Sequence, residues 1–182
     1  MLKVLLAILT GLIGAALLHL IIILALPSFS ERDAYSKVLG EGQPFRFHAL
    51  GGRKDGIGLA KEDPFLEVAV CAFDLTEAPV RLSAGDGVPF WSLATFDAAS
   101  NETFSINDRT SAGGMLDVIV ATPVQATALR KAMPASLMQS IIVETAEPQG
   151  YAVLRVLSPQ RSFRPMATQF LAGADCGLMA WQ

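Results

Sequence analysis

The chain opens with a long apolar run, and this run limits its possible folds more than any other feature. From Val4 to Leu26 the only polar residues are Thr10 and His19. As an α-helix the run extends about 34 Å, enough to cross a hydrocarbon core of about 30 Å. A cleaved signal peptide is the alternative, but its apolar stretch is usually about 7 to 15 residues and ends in small residues, whereas Pro27 follows here. We therefore predict a retained membrane anchor.

The charges that flank the run predict its orientation. Lys3 is the only charged side chain before it, and a balanced set of acidic and basic residues follows it. The positive-inside rule then places the N-terminus in the cytoplasm. We expect a bacterial inner-membrane protein in which residues 1–27 are the cytoplasmic terminus and anchor, residues 28–63 a stalk helix and Gly-rich linker, and residues 64–182 a periplasmic domain.

One stripe of the anchor carries small side chains and an imidazole at every fourth position. Its members are Ala7, Gly11, Ala15 and His19. Small-xxx-small spacing lets a second helix approach closely, and a polar side chain in hydrocarbon usually faces protein or water. The alternative is that Ala and Gly are simply common in membrane helices. The stripe is a candidate interface with a companion protein or a second copy of the chain.

The charge balance excludes one class of partner. The chain has 14 Lys and Arg against 17 Asp and Glu, a net charge of -3, and the charges are dispersed. Nucleic-acid surfaces need clustered Lys and Arg to contact phosphates. We therefore predict no nucleic-acid partner.

Beyond residue 64, hydrophobic periodicity predicts mostly strands. Alternating or continuous apolar segments bounded by turn residues predict strands at 67–75, 80–83, 90–97, 103–106, 115–121, 140–145 and 151–157. We expect the first three strands to pair antiparallel in sequence order, the first to be central, and the last two to form a hairpin.

Thr122, Pro123 and Gln125 match a capping box that starts a helix ending near Met133, and a last helix is expected at 162–171. The predicted class is α+β, an N-terminal transmembrane helix followed by a β-rich domain with an antiparallel sheet or sandwich and two or three helices.

Four segments carry a family resemblance. They are Ala69 to Leu75, Ala78 to Leu82, Pro89 to Asp97 and Ser100 to Thr110. Together they resemble the core of a bacterial family catalogued as domain of unknown function twelve fifty-four, over about residues 64–125. The resemblance implies that a short, anchored member is half of a pair, whose usual companion carries another uncharacterised domain, number twelve fourteen. It implies a partner protein but no reaction, because the family has no agreed chemistry.

The sequence lacks the residues that several classes of enzyme require. A serine hydrolase needs a His base, and His48, in the Gly-rich linker, is the only His outside the anchor. Two distant Cys with one His do not supply a zinc set. Calcium bound by Asp97, Glu102 and Asp108 is conceivable, but their spacing is not that of an EF-hand. We therefore predict no metal and no cofactor.

The remaining candidate site is a polar cluster at strand ends and loops. Its members are Asp97, Asn101, Asp108 and Arg109. Asp and Asn commonly cap turns by bonding nearby backbone groups, and this structural interpretation is favoured. Alternatively, Asp97 and Asp108 supply acid/base chemistry if they converge, with Arg109 beside them. A third reading has Asn101 and Trp91 bind a ligand, with Phe90 and Phe96 completing an aromatic platform.

The two cysteines leave two alternatives open. Cys71 and Cys176 both lie outside the membrane, where a disulfide is allowed. Cys71 also sits in an apolar strand, where a free Cys packs like a small hydrophobe.

Three functional hypotheses follow. The favoured one is a non-enzymatic envelope protein whose domain binds a companion protein. The second is a hydrolase or lyase that acts through Asp97, Asp108 and Arg109. The third is a binder of a sugar, lipid or other small ligand.

Overall fold

Two helices precede the β-rich part of the chain. The structure, a computed structural model, describes residues 1–30, 33–50 and 63–179. Helix α1 (Leu2–Ser30) is followed by α2 (Asp33–Glu41). Within the described residues, the segment Leu2–Leu26 is the one helix long and apolar enough to cross a membrane, with a mean hydropathy of 2.6 and no burial against the rest of the chain. A membrane anchor and a signal sequence can both have this length and composition.

Nine strands in the described ranges form two sheets. They are β1 (His48–Leu50), β2 (Leu66–Asp74), β3 (Val80–Ala84), β4 (Trp91–Asp97), β5 (Glu102–Asn107), β6 (Leu116–Ala121), β7 (Ile141–Glu144), β8 (Gln149–Leu157) and β9 (Asp175–Leu178). The larger sheet has the order β1-β2-β8-β4-β5 and is antiparallel throughout. The smaller sheet has the order β7-β6-β3-β9, in which β6 and β7 are parallel and the other pairs antiparallel.

The two sheets share one hydrophobic core. Alternation along each strand turns every second side chain to the inner face. Leu93 and Leu154 of the larger sheet and Leu82 and Val118 of the smaller sheet belong to this core and have no exposed surface. The architecture is therefore a two-sheet α+β sandwich, which confirms the predicted fold class.

Three helices pack on the sandwich. In α2, Val38 packs with Tyr151 on the outer face of the larger sheet. Helix α3 (Pro123–Lys131) covers the outer face of the smaller sheet, where Leu129 packs with Ile119. Helix α4 (Arg164–Ala172) adds Phe170 to the main core. The Thr122 capping box that begins α3 has both of its predicted hydrogen bonds.

The expected stalk and linker are part of the folded domain as far as the structure describes them. Val38 is 1% exposed, and Phe47 is buried in the main core. Strand β1 pairs with β2, with Ala49 opposite Ala69. The domain thus includes residues 33–50 and begins before the boundary expected at residue 64, while residues 51–62 lie outside the described part.

The pairing of the strands differs from the predicted order. Strands β2, β3 and β4 do not pair in sequence, because β3 belongs to the smaller sheet and β8 lies between β2 and β4. The middle strand of the larger sheet is therefore β8, while β2 is an interior strand between β1 and β8. Strands β7 and β8 are not a hairpin either, since they lie in different sheets. Strand β9 was not predicted.

A disulfide joins the two sheets. Cys71 of β2 and Cys176 of β9 are bonded, with their Cα atoms 6.6 Å apart, and both residues are buried in the main core. The bond ties the edge strand β9 to the opposite sheet across 105 residues of sequence.

Candidate functional site

Asp97 and Asn101 form the turn between β4 and β5. The Asp97 carboxylate accepts hydrogen bonds from the Asn101 backbone N–H at 2.8 Å and from Asn101 Nδ2 at 2.9 Å. Ser100, between them, has a positive φ of 65°, which the turn holds in place. Both carboxylate oxygens are thus engaged in turn structure, as the favoured interpretation of these residues expects.

Asp108 and Arg109 lie at the other end of the same hairpin. The backbone N–H of Asp108 donates to the carbonyl of Trp91, at the start of β4, whereas Asp97 ends β4. At about 3.3 Å per strand residue, the two aspartates are roughly 20 Å apart. The acid/base alternative required Asp97 and Asp108 to converge, and this separation does not meet that condition, because paired carboxylates in glycosidases are about 5 to 10 Å apart.

Arg109 is exposed, and no ion pair to Asp97 or Asp108 is present among the described residues. Its backbone N–H donates to Asn107 Oδ1 at 3.0 Å. One oxygen of Asp108, Oδ1, is buried without a hydrogen-bond partner. The three residues that the hydrolase or lyase alternative requires, Asp97, Asp108 and Arg109, are therefore not assembled in one place.

The aromatic residues do not form one platform. Trp91 is 1% exposed, and its Nε1 donates to the carbonyl of Gly114 at 2.9 Å inside the fold. Phe96 lies on the opposite face of β4 and stacks on Tyr151, with ring centroids 5.0 Å apart. The ring of Trp91 is therefore not available to a ligand, which removes it from the candidate ligand site with Asn101.

His48 is a structural residue in β1. Its Nε2 donates to the carbonyl of Gln43 at 2.8 Å. Within the described ranges, no group of three or more His, Cys, Asp or Glu side chains is arranged to hold a metal ion.

A buttressed ion pair, not foreseen from the sequence, lies on the outer face of the smaller sheet. Arg81 of β3 binds Asp117 of β6 in a bidentate manner, with Nε–Oδ1 2.8 Å and Nη2–Oδ2 3.0 Å, and Ser140 Oγ donates to Asp117 at 2.7 Å. Burial raises the pKa of Asp117, but the hydrogen bonds from Arg81 and Ser140 and the charge of Arg81 outweigh it and hold this pKa below its usual value. The pair links neighbouring strands and has a structural role.

A polar depression lies on the outer face of the larger sheet, beside the part that α2 covers. It measures about 380 Å³, within the range of about 300 to 1,000 Å³ typical of ligand sites. Its lining includes Arg155 of β8, Ser92 of β4 and Asn107 of β5. Sequence reasoning missed it, because Arg155 comes from β8, which is far in the chain from β4 and β5.

A second, smaller groove lies where the edge strands of the two sheets come close. It has a volume of about 50 Å³ and is lined by Ile106 of β5, Ile141 of β7, Met115, and several polar residues. Met115 is 50% exposed, and Met138, which precedes the groove residue Gln139, is 74% exposed. We call this surface the edge groove. It is too small for a typical ligand but has an adaptable apolar rim.

In the anchor, Ala7, Gly11, Ala15 and His19 lie on α1, and all four are exposed. No atom outside the helix backbone lies within 4 Å of a Cβ built at Gly11. The stripe therefore stays a predicted interface.

The domain is a two-sheet α+β sandwich attached to an apolar N-terminal helix. It is defined by the order of the strands in its sheets, by the helices that pack on them and by the disulfide between them. The chain belongs to the family described as protein of unknown function (DUF1254), whose sequence model matches residues 68–176. This confirms the resemblance stated above and extends it to β9. No curated protein matches the chain.

Solved structures that are similar to this one include proteins from two bacteria. The VPA0106 protein from Vibrio parahaemolyticus superposes with a TM-score of 0.62 at 14% identity, over 83% of this chain and 35% of that chain. A crystal structure of an uncharacterized protein from Burkholderia cenocepacia gives a TM-score of 0.44 at 10% identity, over 74% of this chain and 38% of that chain. This chain thus spans about a third of the VPA0106 protein, a likeness that shows the fold alone.

Proposed function

We propose that this chain is a single-pass inner-membrane protein, N-terminus inside, whose periplasmic domain binds a companion envelope protein. The observation that carries the proposal is the edge groove. Its rim exposes the side chain of Met115, whose flexible thioether suits protein recognition surfaces. The hydrolase or lyase alternative is less well supported, because Asp97 and Asp108 lie at opposite ends of one hairpin.

The position of the edge groove supports binding of polypeptide. Strands β5 and β7 end their respective sheets, and an edge strand leaves backbone N–H and C=O groups unpaired on its outer side. Apolar side chains of Ile106 and Ile141 lie between the two edges. A partner segment can therefore pair with an edge and place one apolar side chain between the sheets.

The VPA0106 protein adds a second line of support. About two-thirds of that chain lies outside the part matched by this fold, so a domain of this architecture is found together with further polypeptide. We infer that a companion protein takes a comparable place beside this chain. The anchor would hold both at the membrane and raise their effective concentration.

The test is site-specific photo-crosslinking of the full-length protein in its native membrane. A photoreactive residue replaces Met115 in one variant and Val124 in the matched control, since Val124 is 80% exposed on α3, away from the edge groove. We expect one heterologous protein to crosslink at position 115 and not at 124, and mass spectrometry to identify it. Crosslinking to a second copy of this chain alone would contradict a companion.

A charge-insertion pair completes the test. Met115→Glu buries a carboxylate in the apolar rim on binding, which is costly without a partner, and should abolish co-purification of the crosslinked protein. Val124→Glu should leave it unchanged. If neither variant alters co-purification, the edge groove is not the docking surface and the proposal fails.

A further inference from the structure

We infer that the polar depression on the larger sheet is a binding site for a small carboxylate ligand that also carries hydroxyl groups. The inference does not depend on the companion protein. Ile106 borders both the depression and the edge groove, but the polar residues that carry this inference lie on the outer face of the larger sheet. The edge groove opens between the two sheets.

The strand register builds the floor of the depression. Arg155 of β8 stands opposite Ser92 of β4, and Ser92 stands opposite Asn107 of β5. Side chains in such facing positions have Cβ atoms about 4.5 to 5.5 Å apart, so the three form one continuous polar row across three strands. In the next row Ala94 lies between Val153 and Ser105. Its short side chain makes the hollow.

The polar row presents donors that the protein itself does not use. Asn107 Oδ1 accepts hydrogen bonds from the backbone N–H groups of Arg109 at 3.0 Å and Thr110 at 3.2 Å, which turns its Nδ2 away from that loop. In the part of the chain that the structure describes, Nδ2, the guanidinium of Arg155 and the hydroxyl of Ser92 have no hydrogen-bond partner.

Arg155 has no carboxylate partner, which distinguishes it from three other arginines of the domain. Among the described residues the exposed Arg109 and Arg161 also lack an ion pair, but neither of them lines the depression. Arg81, Arg130 and Arg164 each pair with an acidic side chain. Arg155 is half-buried on the sheet and has no ion pair among the described residues. Because a guanidinium matches a carboxylate in a two-bond arrangement, the missing partner is one that a ligand carboxylate can supply.

Glu102 gives the second half of the specificity. It lines the same depression at the exposed end of β5, and an ionised carboxylate is an acceptor only. It would repel a simple anion but accept hydrogen bonds from hydroxyl groups at the other end of a ligand. A cation and donors at one end with an acceptor at the other fit a hydroxy-carboxylate, such as a sugar acid.

The test compares two sugars that differ in one group. Full-length protein in maltoside micelles is titrated with galacturonate or galactose and followed by ligand-observed NMR. We expect saturable binding of galacturonate, with galactose binding at least about tenfold more weakly because it lacks the charged acceptor for Arg155. Equal binding of the two sugars, or none, would overturn the inference.

Variants locate the site. Arg155→Gln should weaken galacturonate binding by about 10- to 100-fold, the range expected for loss of charge-assisted hydrogen bonds, whereas Arg161→Gln, an exposed arginine outside the depression, should leave it unchanged. Glu102→Gln should reduce the preference for galacturonate over acetate. An undiminished affinity in Arg155→Gln would place the ligand elsewhere.

Two further measurements distinguish a hydroxy-carboxylate site from a general anion site, and failure of the ligand site from failure of the proposed function. Inorganic phosphate that binds as tightly as galacturonate would show a general anion site and contradict the hydroxy-carboxylate assignment. Crosslinking at position 115 in the Arg155→Gln background should be unchanged, so failure of the ligand site and failure of the proposed function are distinguished.

Discussion

Gly150 shows how one residue allows three strands to meet. It is buried near the start of β8, opposite Phe73 of β2 and Asp97 of β4. A Cβ built on Gly150 would collide with the carbonyl oxygen of Phe96 and lie 2.8 Å from the ring of Phe73. The requirement is therefore one of space: the larger sheet closes here only if this position has no side chain.

We predict that Gly150→Ala lowers the free energy of unfolding by about 1 to 3 kcal/mol, as overpacking of a closed site does. Thermal denaturation of the full chain in micelles, followed by circular dichroism, measures the change. The matched control is Gly85→Ala, because no atom lies within 4 Å of a Cβ there. Removing chain flexibility there should leave stability unchanged or raise it by about 0.4 to 1 kcal/mol. Similar losses in both variants would contradict the spatial explanation.

At the scale of elements, β9 is the strand whose place depends most on a covalent bond. It is short, lies at the edge of the smaller sheet and pairs with β3. The disulfide from Cys176 to Cys71 joins it to β2 in the other sheet. Closing a loop of this length removes much of the entropy of the unfolded chain.

We predict that the double variant Cys71→Ala and Cys176→Ala loses up to about 4 to 5 kcal/mol of stability. Hydrogen exchange should become faster in β9 than in β8, because β9 has lost its link to the larger sheet and β8 keeps two neighbours. Mass-spectrometric exchange measured strand by strand tests this. Unchanged protection of β9 would show that pairing with β3 alone holds it.

At the scale of the whole molecule, the separation of α1 from the sandwich determines how the protein is positioned relative to a membrane. None of the Leu2–Leu26 segment is buried against the chain, and α2 joins the sheet directly after it through Val38. The apolar helix therefore needs an environment other than this domain, and the proposed environment is the inner membrane.

We predict that alkaline phosphatase fused after Gln182 is active in cells and that a green fluorescent protein at the same position is dark, because each reporter works on one side of the membrane. The full chain should stay with the membrane in carbonate extraction, and its purified mass should include residues 1–26. A mass that lacks these residues would identify a cleaved signal sequence. The reverse reporter pattern would show the opposite orientation.

The sequence by itself predicted where several helices and strands begin and end, because these boundaries depend on residues that are close together in the chain. Strand periodicity depends on neighbouring residues, so β2, β4 and β6 lie within one or two residues of their predicted bounds. The same applies to the capping box at Thr122, whose hydrogen bonds span three residues. The apolar run and the α+β class also follow from the sequence, as does the family resemblance, because each depends on composition or short-range pattern.

Only the tertiary structure decided which strands pair across the sheets and which side chains of distant strands become neighbours. Strand β8 separates β2 from β4 because core packing, not chain order, selects its neighbours. Asp97 and Asp108, close in sequence, lie at opposite ends of a hairpin, because β4 and β5 pair antiparallel across the turn that follows Asp97. Conversely, Arg155 and Ser92, distant in sequence, stand opposite each other in the sheet. A site built across three strands leaves no local signal, since its spacing exists only after the sheet has formed.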